Sequence, residues 1–379
     1  MNKKIRLGIL GGGGDSLIGI LHRVASSMFS RYEIVGGVFN PDFNENITFA
    51  KKIGLNTSRI YKDFETMVSE ESKLDESQRM QVVSILTPNF LHYSMAKKLL
   101  ENNFNVICEK PLTTSYQEAL ELKKIQKEKN SVFAVTYTYT GYPMVRQMTK
   151  MISQGVIGNI QKVDVQYLQG WLNPVIHEKE KRSSTWRLDP KKSGISCCVG
   201  DIGTHAFNMV ELVTGMKIHK VLADLNTLYD DNSMDVDANI LIRFSNNAKG
   251  VIRSSQIATG EENNLRISVY GAKGGLKWEQ ENPNYLYHLS DNNPVQILKS
   301  GHPYNDPLSL DGTKLPPGHP EGIFDSMGNI YKGVARAINK ESYDPAEFPS
   351  LEDGVRGMDF IEKTIESNSN GNVWVELNN

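Results

Sequence analysis

Hydrophobic positions change their rhythm part-way along this chain. Up to about residue 140, short apolar runs alternate with amphipathic stretches. Ile5 to Leu10, Glu33 to Phe39, Val82 to Leu86, Val106 to Cys108 and Val132 to Tyr137 are rich in β-branched or aromatic residues and are bounded by Gly, Asn or Pro, which predicts strands. Ile18 to Phe29, Asn46 to Ile53 with Gly54 behind it, Leu91 to Leu100 and Ser115 to Lys127 carry helical spacing. Nearly continuous apolar strands separated by helices imply a parallel sheet covered on both faces. Right-handed crossovers make it a doubly wound α/β domain, placed at residues 1–138.

Beyond that point the period is two. Val163, Val165 and Tyr167 alternate with polar neighbours, as do parts of Asp237 to Phe244, Gly250 to Ile257 and Leu265 to Tyr270. Such strands bury one face only. Residues 139–379 are therefore expected to form an α+β domain with an open, mostly antiparallel sheet. Its predicted helices lie near Asp201 to Val213, Ile323 to Ile338 and Leu351 to Ser367, with a short strand from Asn372 to Leu377. The stretch 282–322, rich in Pro, Asn, Asp, Gly and His, reads as a long ordered excursion.

Composition narrows the function. A length of 379 residues suits two domains at roughly 150 residues each. Lys plus Arg is 42 and Asp plus Glu is 44, for a net charge of −2, so no global field favours nucleic acid or an anionic membrane. Three cysteines (Cys108, Cys197, Cys198) are too few for a disulfide framework and lack zinc-ligand spacing, so no metal is expected. No apolar run approaches the roughly 18 residues of a membrane span. The basic start Met1-Asn2-Lys3-Lys4 leads into a strand and four glycines rather than a secretory core, so the expectation is a cytoplasmic, soluble protein.

Candidate chemistry clusters at predicted strand ends. Gly11 and Gly13 follow a strand and precede a helix, where backbone amides and a helix N-terminus can meet a pyrophosphate. Ser16 stands where a third glycine is usual, so Gly19 takes over close helix–strand packing; Leu17 and Ile18 supply the first helical amides. The alternative is a glycine turn without a ligand. After the second strand, Asn40 and Asp42 are the groups that would read the ribose. Asp42 sits slightly late, no Arg is near, and Lys51 and Lys52 lie two turns on, which favours NAD over NADP. Thr87-Pro88-Asn89 ends the third strand, with Asn89 also able to cap the helix that follows. Glu109-Lys110-Pro111 ends the fourth, so Lys110 projects into the same crevice or is simply a solvated charge. Farther on, Asp201 can cap the helix carrying His205 four residues later, and a carboxylate beside an imidazole makes a general base. A cap and a core histidine is the plainer account. Trp186-Arg187 offers a flat wall and a hydrogen-bond fork, or a surface Arg packed on a Trp.

Taken in order, the glycine loop, Thr87-Pro88-Asn89 with His92, Glu109-Lys110-Pro111 and Asp201-Ile-Gly-Thr-His205 resemble the Gfo/Idh/MocA (glucose–fructose oxidoreductase / inositol dehydrogenase / rhizopine catabolism) family. The resemblance covers essentially the whole chain. Trp186-Arg187-Leu-Asp-Pro and Gly318-His319-Pro320-Glu321-Gly322 further resemble its cyclitol, levoglucosan and L-glucose dehydrogenase branch. The resemblance implies that Lys110 bonds the reacting hydroxyl, that His205 is the base, and that Asp201 orients it. It implies NAD or NADP as cofactor and a sugar or cyclitol as substrate. It also implies a homodimer or homotetramer built on the open sheet. Where relatives often carry His-Asn-Tyr, this chain has Tyr137-Thr138-Tyr139, so polar recognition there differs. Tyr139, Tyr142, Tyr167, Trp171, Arg187, His319 and Glu321 complete the substrate candidates. A non-catalytic dinucleotide-binding regulator and a hydrolase or lyase with tightly held NAD are the rival readings.

Overall fold

Strand β1 (Ile5–Gly11) is buried along nearly its whole length, as a strand covered on both faces must be. In the computed structural model, which describes residues 4–230 and 233–378, it leads into α1 (Leu17–Ser27), β2 (Tyr32–Val38), α2 (Phe43–Lys52) and α3 (Phe64–Lys73). There follow β3 (Val82–Leu86), α4 (His92–Glu101), β4 (Asn105–Cys108), α5 (Tyr116–Lys129) and β5 (Phe133–Val135). All five strands pair in parallel in the order β2-β1-β3-β4-β5, the doubly wound sheet the pattern predicts. The chain reverses direction across the sheet between β1 and β3, which makes their carboxyl ends the switch point. Helix α3 lies outside the predicted elements. Asp63 caps it through the Thr66 amide, and its buried stripe of Met67, Val68 and Glu71 includes a charge that hides the periodicity.

The second rhythm begins with α6 (Pro143–Ser153) and β6 (Ile160–Leu168). Three short helices follow, α7 (Asn173–Ile176), α8 (Lys179–Ser184) and α9 (Pro190–Ser193), and then α10 (Thr204–Thr214). The strands β7 (Ile218–Asn226), β8 (Asp237–Phe244), β9 (Lys249–Ser255), β10 (Asn264–Gly271), β11 (Gly274–Glu279), β12 (Tyr285–Ser290) and β13 (Asn293–Lys299) precede α11 (Pro307–Gly312). Two helices, α12 (Ile323–Ile338) and α13 (Leu351–Ser369), and the strand β14 (Val375–Glu376) complete the order. Nine strands form one sheet, β13-β12-β11-β10-β6-β9-β8-β7-β14, antiparallel throughout except for the parallel pair β6–β9. Alternation is clean in β8, where Ala238, Ile240, Ile242 and Phe244 are buried. Elsewhere on the sheet α10 packs on β6, β9 and β10, and α6 on β11 and β12.

The expected excursion at 282–322 is a correction, because β12 and β13 extend the sheet there and α11 follows. β13 is exposed along nearly its whole length, so as an edge strand it has no buried face to impose alternation. α6, β7 and β11 also fall outside the predicted elements. The chain divides into two compact units. The first holds residues up to Thr113, Gln117–Gly141 and Ile323–Val355; the second holds Thr114–Tyr116, Tyr142–Gly322 and the residues from Arg356 on. α12, expected within 139–379, thus joins the first unit. Its Met327, Ile330, Tyr331, Val334 and Ala335 share a core with Ile5, Leu7, Ile9, Leu21 and Phe49. Periodicity shows that a helix has an apolar face but not which partner will cover it.

In the second unit α13 is tied to α10 by a buried ion pair. Arg356 Nη2 donates to Glu211 Oε1 at 2.6 Å and to the Ile218 carbonyl at 2.9 Å, while Nη1 donates to the Asn378 carbonyl. Removing one partner strands the other charge. Arg356→Leu is expected to lower unfolding free energy by about 3–5 kcal/mol, read as a shifted urea midpoint for that unit.

Candidate active site

The glycine loop is shaped by backbone contacts that admit no side chain. Gly11, Gly12 and Gly14 have φ of 82°, 66° and 59°, in the left-handed region that favours glycine. A Cβ on Gly19 would lie 1.8 Å from the Gly12 carbonyl oxygen, and one on Gly13 would lie 2.6 Å from that of Phe39. Gly19 is therefore the close-packing glycine of the motif. Ser16 caps α1 by accepting from the Gly19 amide at 3.2 Å. Arg23 donates to the Gly12 carbonyl at 2.7 Å and so holds the loop from its carbonyl side. The first amides of α1, including those of Leu17 and Ile18, have no intrahelical acceptor, and nothing stands within 4 Å of a Cβ placed on Gly14. That open side beside helix N–H donors fits a dinucleotide's pyrophosphate.

After β2, Asn40, Asp42 and Glu45 form a small polar knot. Asp42 caps α2 through the Glu45 amide at 3.0 Å, the Asp42 amide donates to Asn40 Oδ1, and Asn40 Nδ2 donates to Glu45 Oε2 at 2.7 Å. Lys52 reaches back to Asp15 in the glycine loop at 4.0 Å.

The next two loops depart from expectation in detail. Asn89 makes no side-chain cap; it opens a 3₁₀ turn, Asn89–Leu91, and α4 begins only at His92. His92 is fully buried, with Nδ1 2.9 Å from the Pro111 carbonyl and Nε2 2.9 Å from that of Thr87. It thus clamps the loop after β3 to the loop after β4. Burial holds its pKa below the usual value, against the pull of the two carbonyls.

Glu109 faces inward through one carboxylate oxygen. Its Oε1 accepts from Thr136 Oγ1 at 2.5 Å and lies 2.9 Å from His22 Nε2. His22 Nδ1 is 2.7 Å from the Tyr331 hydroxyl, itself 2.8 Å from Ser84 Oγ. Burial alone would push the Glu109 carboxyl up, but the His22 hydrogen bond and charge, then Lys110 and Thr136, pull it down to about 2. This buried chain across β3, β4, α1 and α12 anchors the residue before Lys110.

In the second unit, Val199–Gly203 winds as a π turn that runs directly into α10. Asp201 is therefore not the helix cap. Its Oδ2 instead accepts from Gln256 Nε2 at 2.8 Å and lies 3.3 Å from Arg187 Nε. The Arg187 guanidinium lies over two indoles, 4.6 Å from the centre of the Trp186 ring and 5.4 Å from that of Trp171. His205 lies in the first turn of α10, buried, with its ring edge-on to Tyr167 at 6.1 Å. Asp235 fixes the approach to the π turn by accepting from the Cys197 and Val199 amides at 2.9 and 2.8 Å. A polar row begins at Tyr167, whose hydroxyl donates to Asn263 Oδ1 at 2.6 Å. Gln169 Nε2 donates to the same oxygen, and Trp171 Nε1 donates to Gln169 Oε1.

Within this unit the structure thus brings together Tyr167, Trp171, Trp186, Arg187, Asp201 and His205. Gln169, Gln256 and Asn263 join them without any sequence signal, since amides just beyond strands have no distinctive spacing. Tyr142 is buried against Trp278 at 5.4 Å, and Tyr139 is also buried. Glu321 is an internal clip whose Oε1 accepts from the Lys314 and Leu315 amides. His319 is exposed and bonds the Pro316 carbonyl.

Known proteins match this chain along nearly its whole length. Residues 5–137 match the oxidoreductase family NAD-binding Rossmann fold, and residues 145–277 match the GFO/IDH/MocA C-terminal domain. The chain is 33% identical to an uncharacterized oxidoreductase, YfiI, of Bacillus subtilis, over 100% of this chain and 98% of that protein. It is 26% identical to a levoglucosan dehydrogenase of Pseudarthrobacter phenanthrenivorans, over 83% and 84%. A crystal structure of an inositol dehydrogenase homolog from Azotobacter vinelandii, complexed with NAD+, superposes with a TM-score of 0.92 at 30% identity, over 99% of this chain and 98% of that one.

Two outcomes are expected. Gly19→Ala must part the loop from α1, so the NAD dissociation constant should rise at least about tenfold, read by fluorescence titration. The Glu109 carboxyl is depressed in the fold, so the stability it contributes is present above about pH 4.5. It is lost as pH falls towards 2. Glu109→Gln should therefore show a flatter fall in stability between those pH values in acid titrations followed by circular dichroism.

Proposed function

The chain belongs to the Gfo/Idh/MocA family of NAD-binding oxidoreductases, and we propose that it oxidises, reversibly, a secondary alcohol on a sugar or inositol ring. The observation that carries this reading is the second unit's cluster, in which His205 and Asp201 stand beside a row of amides and indoles. Gln169, Asn263 and Trp171 offer fixed donors, acceptors and a flat apolar face. A hydroxylated ring needs that mixture. The inositol dehydrogenase homolog and the levoglucosan dehydrogenase point to the same substrate class.

In this proposal NAD supplies the nicotinamide that accepts the hydride. Lys110 donates a hydrogen bond to the reacting oxygen and steadies the negative charge that grows there. His205 takes the hydroxyl proton as general base, and Asp201 favours the protonated imidazole that results. NAD is preferred because Asp42 and Glu45 put carboxylates at the end of β2, where a 2′-phosphate would be repelled. A protein that only bound dinucleotide would have no use for Lys110 or His205. The proposal also takes the protein as a cytoplasmic homodimer or homotetramer. Leu241, Val295 and Ile297, exposed on the open sheet of the second unit, suit such an assembly.

The test is a panel of cyclitols and pyranoses run separately with NAD and NADP at 340 nm. NADH formation with at least one polyol is expected. Lys110→Met should lower kcat by about 10²–10⁴-fold while NAD still binds. Near-wild-type turnover in that variant removes Lys110 from the mechanism. Cofactor that copurifies without net NADH release would instead favour transient oxidation in a hydrolase or lyase.

A further inference from the structure

Asp201 is gripped by a side chain that sits in no motif. Gln256 follows the end of β9 and is fully buried. Its backbone is fixed on both sides, the amide donating to the Val236 carbonyl at 2.9 Å and the carbonyl accepting from the Leu172 amide at 3.0 Å. Its side chain spans two groups: Nε2 donates to Asp201 Oδ2 at 2.8 Å, and Oε1 accepts from Cys197 Sγ at 3.2 Å. Cys197 is itself pinned through its amide by Asp235. We propose that Gln256, oriented by the Cys197 thiol, is a positioning residue that keeps Asp201 ionised and aimed for the dehydrogenation described above, a role that rests on that reading of Asp201.

The argument is one of donors and acceptors. A carboxamide can face Asp201 with its NH2 or with its oxygen, and only the first is attractive to a carboxylate. The reversed amide would set oxygen against oxygen and favour a protonated Asp201. The thiol breaks this symmetry, since an S–H donates to the amide oxygen but offers little to an NH2 group. It can do so only while it keeps its proton. Burial pushes the Cys197 thiol well above the usual range, helped by the charges of Asp235 and Asp201 and opposed by Arg187. The S–H donor therefore persists across working pH. Arg187 also reaches Asp201 Oδ2, but its side chain is 38% exposed, so Gln256 is the desolvated half of the grip. Ionisable groups near this cluster include Cys198, Asp235 and Asp237, with His205 four residues beyond Asp201 and Tyr167 packed on its ring.

Full-length wild type and the variants Gln256→Glu, Gln256→Leu, Cys197→Ser and Cys197→Ala would be compared in pH profiles of kcat and kcat/KM on the best polyol. Asp201 would also be titrated by NMR of ¹³Cγ-labelled aspartate, assigned with Asp201→Asn. Gln256→Glu sets two carboxyls to share one proton, so the acidic limb of kcat/KM should move up by about one to two pH units. Gln256→Leu should lower kcat/KM about tenfold and raise the Asp201 pKa. Cys197→Ser should hold wild-type behaviour, while Cys197→Ala moves towards Gln256→Leu. Folded Gln256→Glu and Gln256→Leu proteins with an unmoved Asp201 titration would overturn the proposal, and an unaffected Cys197→Ala would remove the thiol from it. Because the titration needs no turnover, a wild type inert on every polyol defeats the dehydrogenase reading while the carboxyl shift still decides this one.

Discussion

Between Gly12 and Gly19 the loop after β1 and the first turn of α1 meet backbone to backbone, with no room for a single carbon. That contact sets how near the helix amides come to the strand end, and therefore where an anion can sit. Arg23 completes it by taking the loop's own carbonyl, so the amide side is left to a ligand. The position of α1 in turn fixes His22, and through it Glu109 and the residue beside it, Lys110. A steric constraint at one glycine pair is thus passed along to the group proposed to touch the alcohol.

Both units keep a buried carboxylate just behind a residue assigned to chemistry. In the first, Glu109 is stabilised as an anion by His22 and Thr136. In the second, Asp235 accepts two backbone amides at the entrance to the π turn, although burial pushes its carboxyl up. Neither arrangement is an efficient way to gain stability, because desolvation consumes much of what the pairing returns. What each supplies is a single geometry, since a satisfied buried network resists rearrangement. π turns recur at functional sites for a related reason, as they displace side chains from regular helical positions.

Much of the fold is legible in the sequence, for reasons particular segments show. Val82–Leu86 and Asp237–Phe244 announce themselves because complete burial and strict alternation leave unmistakable patterns. β13 does not, because an edge strand buries almost nothing. α12 is legible as a helix but not as part of the first unit, since a pattern carries no record of its partner. The candidate site divides in the same way. Gly19 follows from the strand–loop–helix motif, whereas spacing names Asp201 and His205 but makes Asp201 a cap it does not form. The inward turn of Glu109, His92 and Glu321 follows from neither, because each is decided by partners distant in sequence, and a motif cannot say whether a polar side chain faces a ligand or the protein.

The parallel pairing of β6 with β9 gives the second unit a peculiar economy. Parallel neighbours cannot be joined by a tight hairpin, so residues 169–248 must travel away and return before the two strands zip together. Trp171, Trp186, Arg187, Asp201 and His205 all lie in that detour. Its length makes the closing of this pair an entropically late event in folding. The part of it that precedes β7, residues 169–217, carries no strand of the ladder, so the five clustered residues can be exchanged while the pairing of the sheet is inherited unchanged.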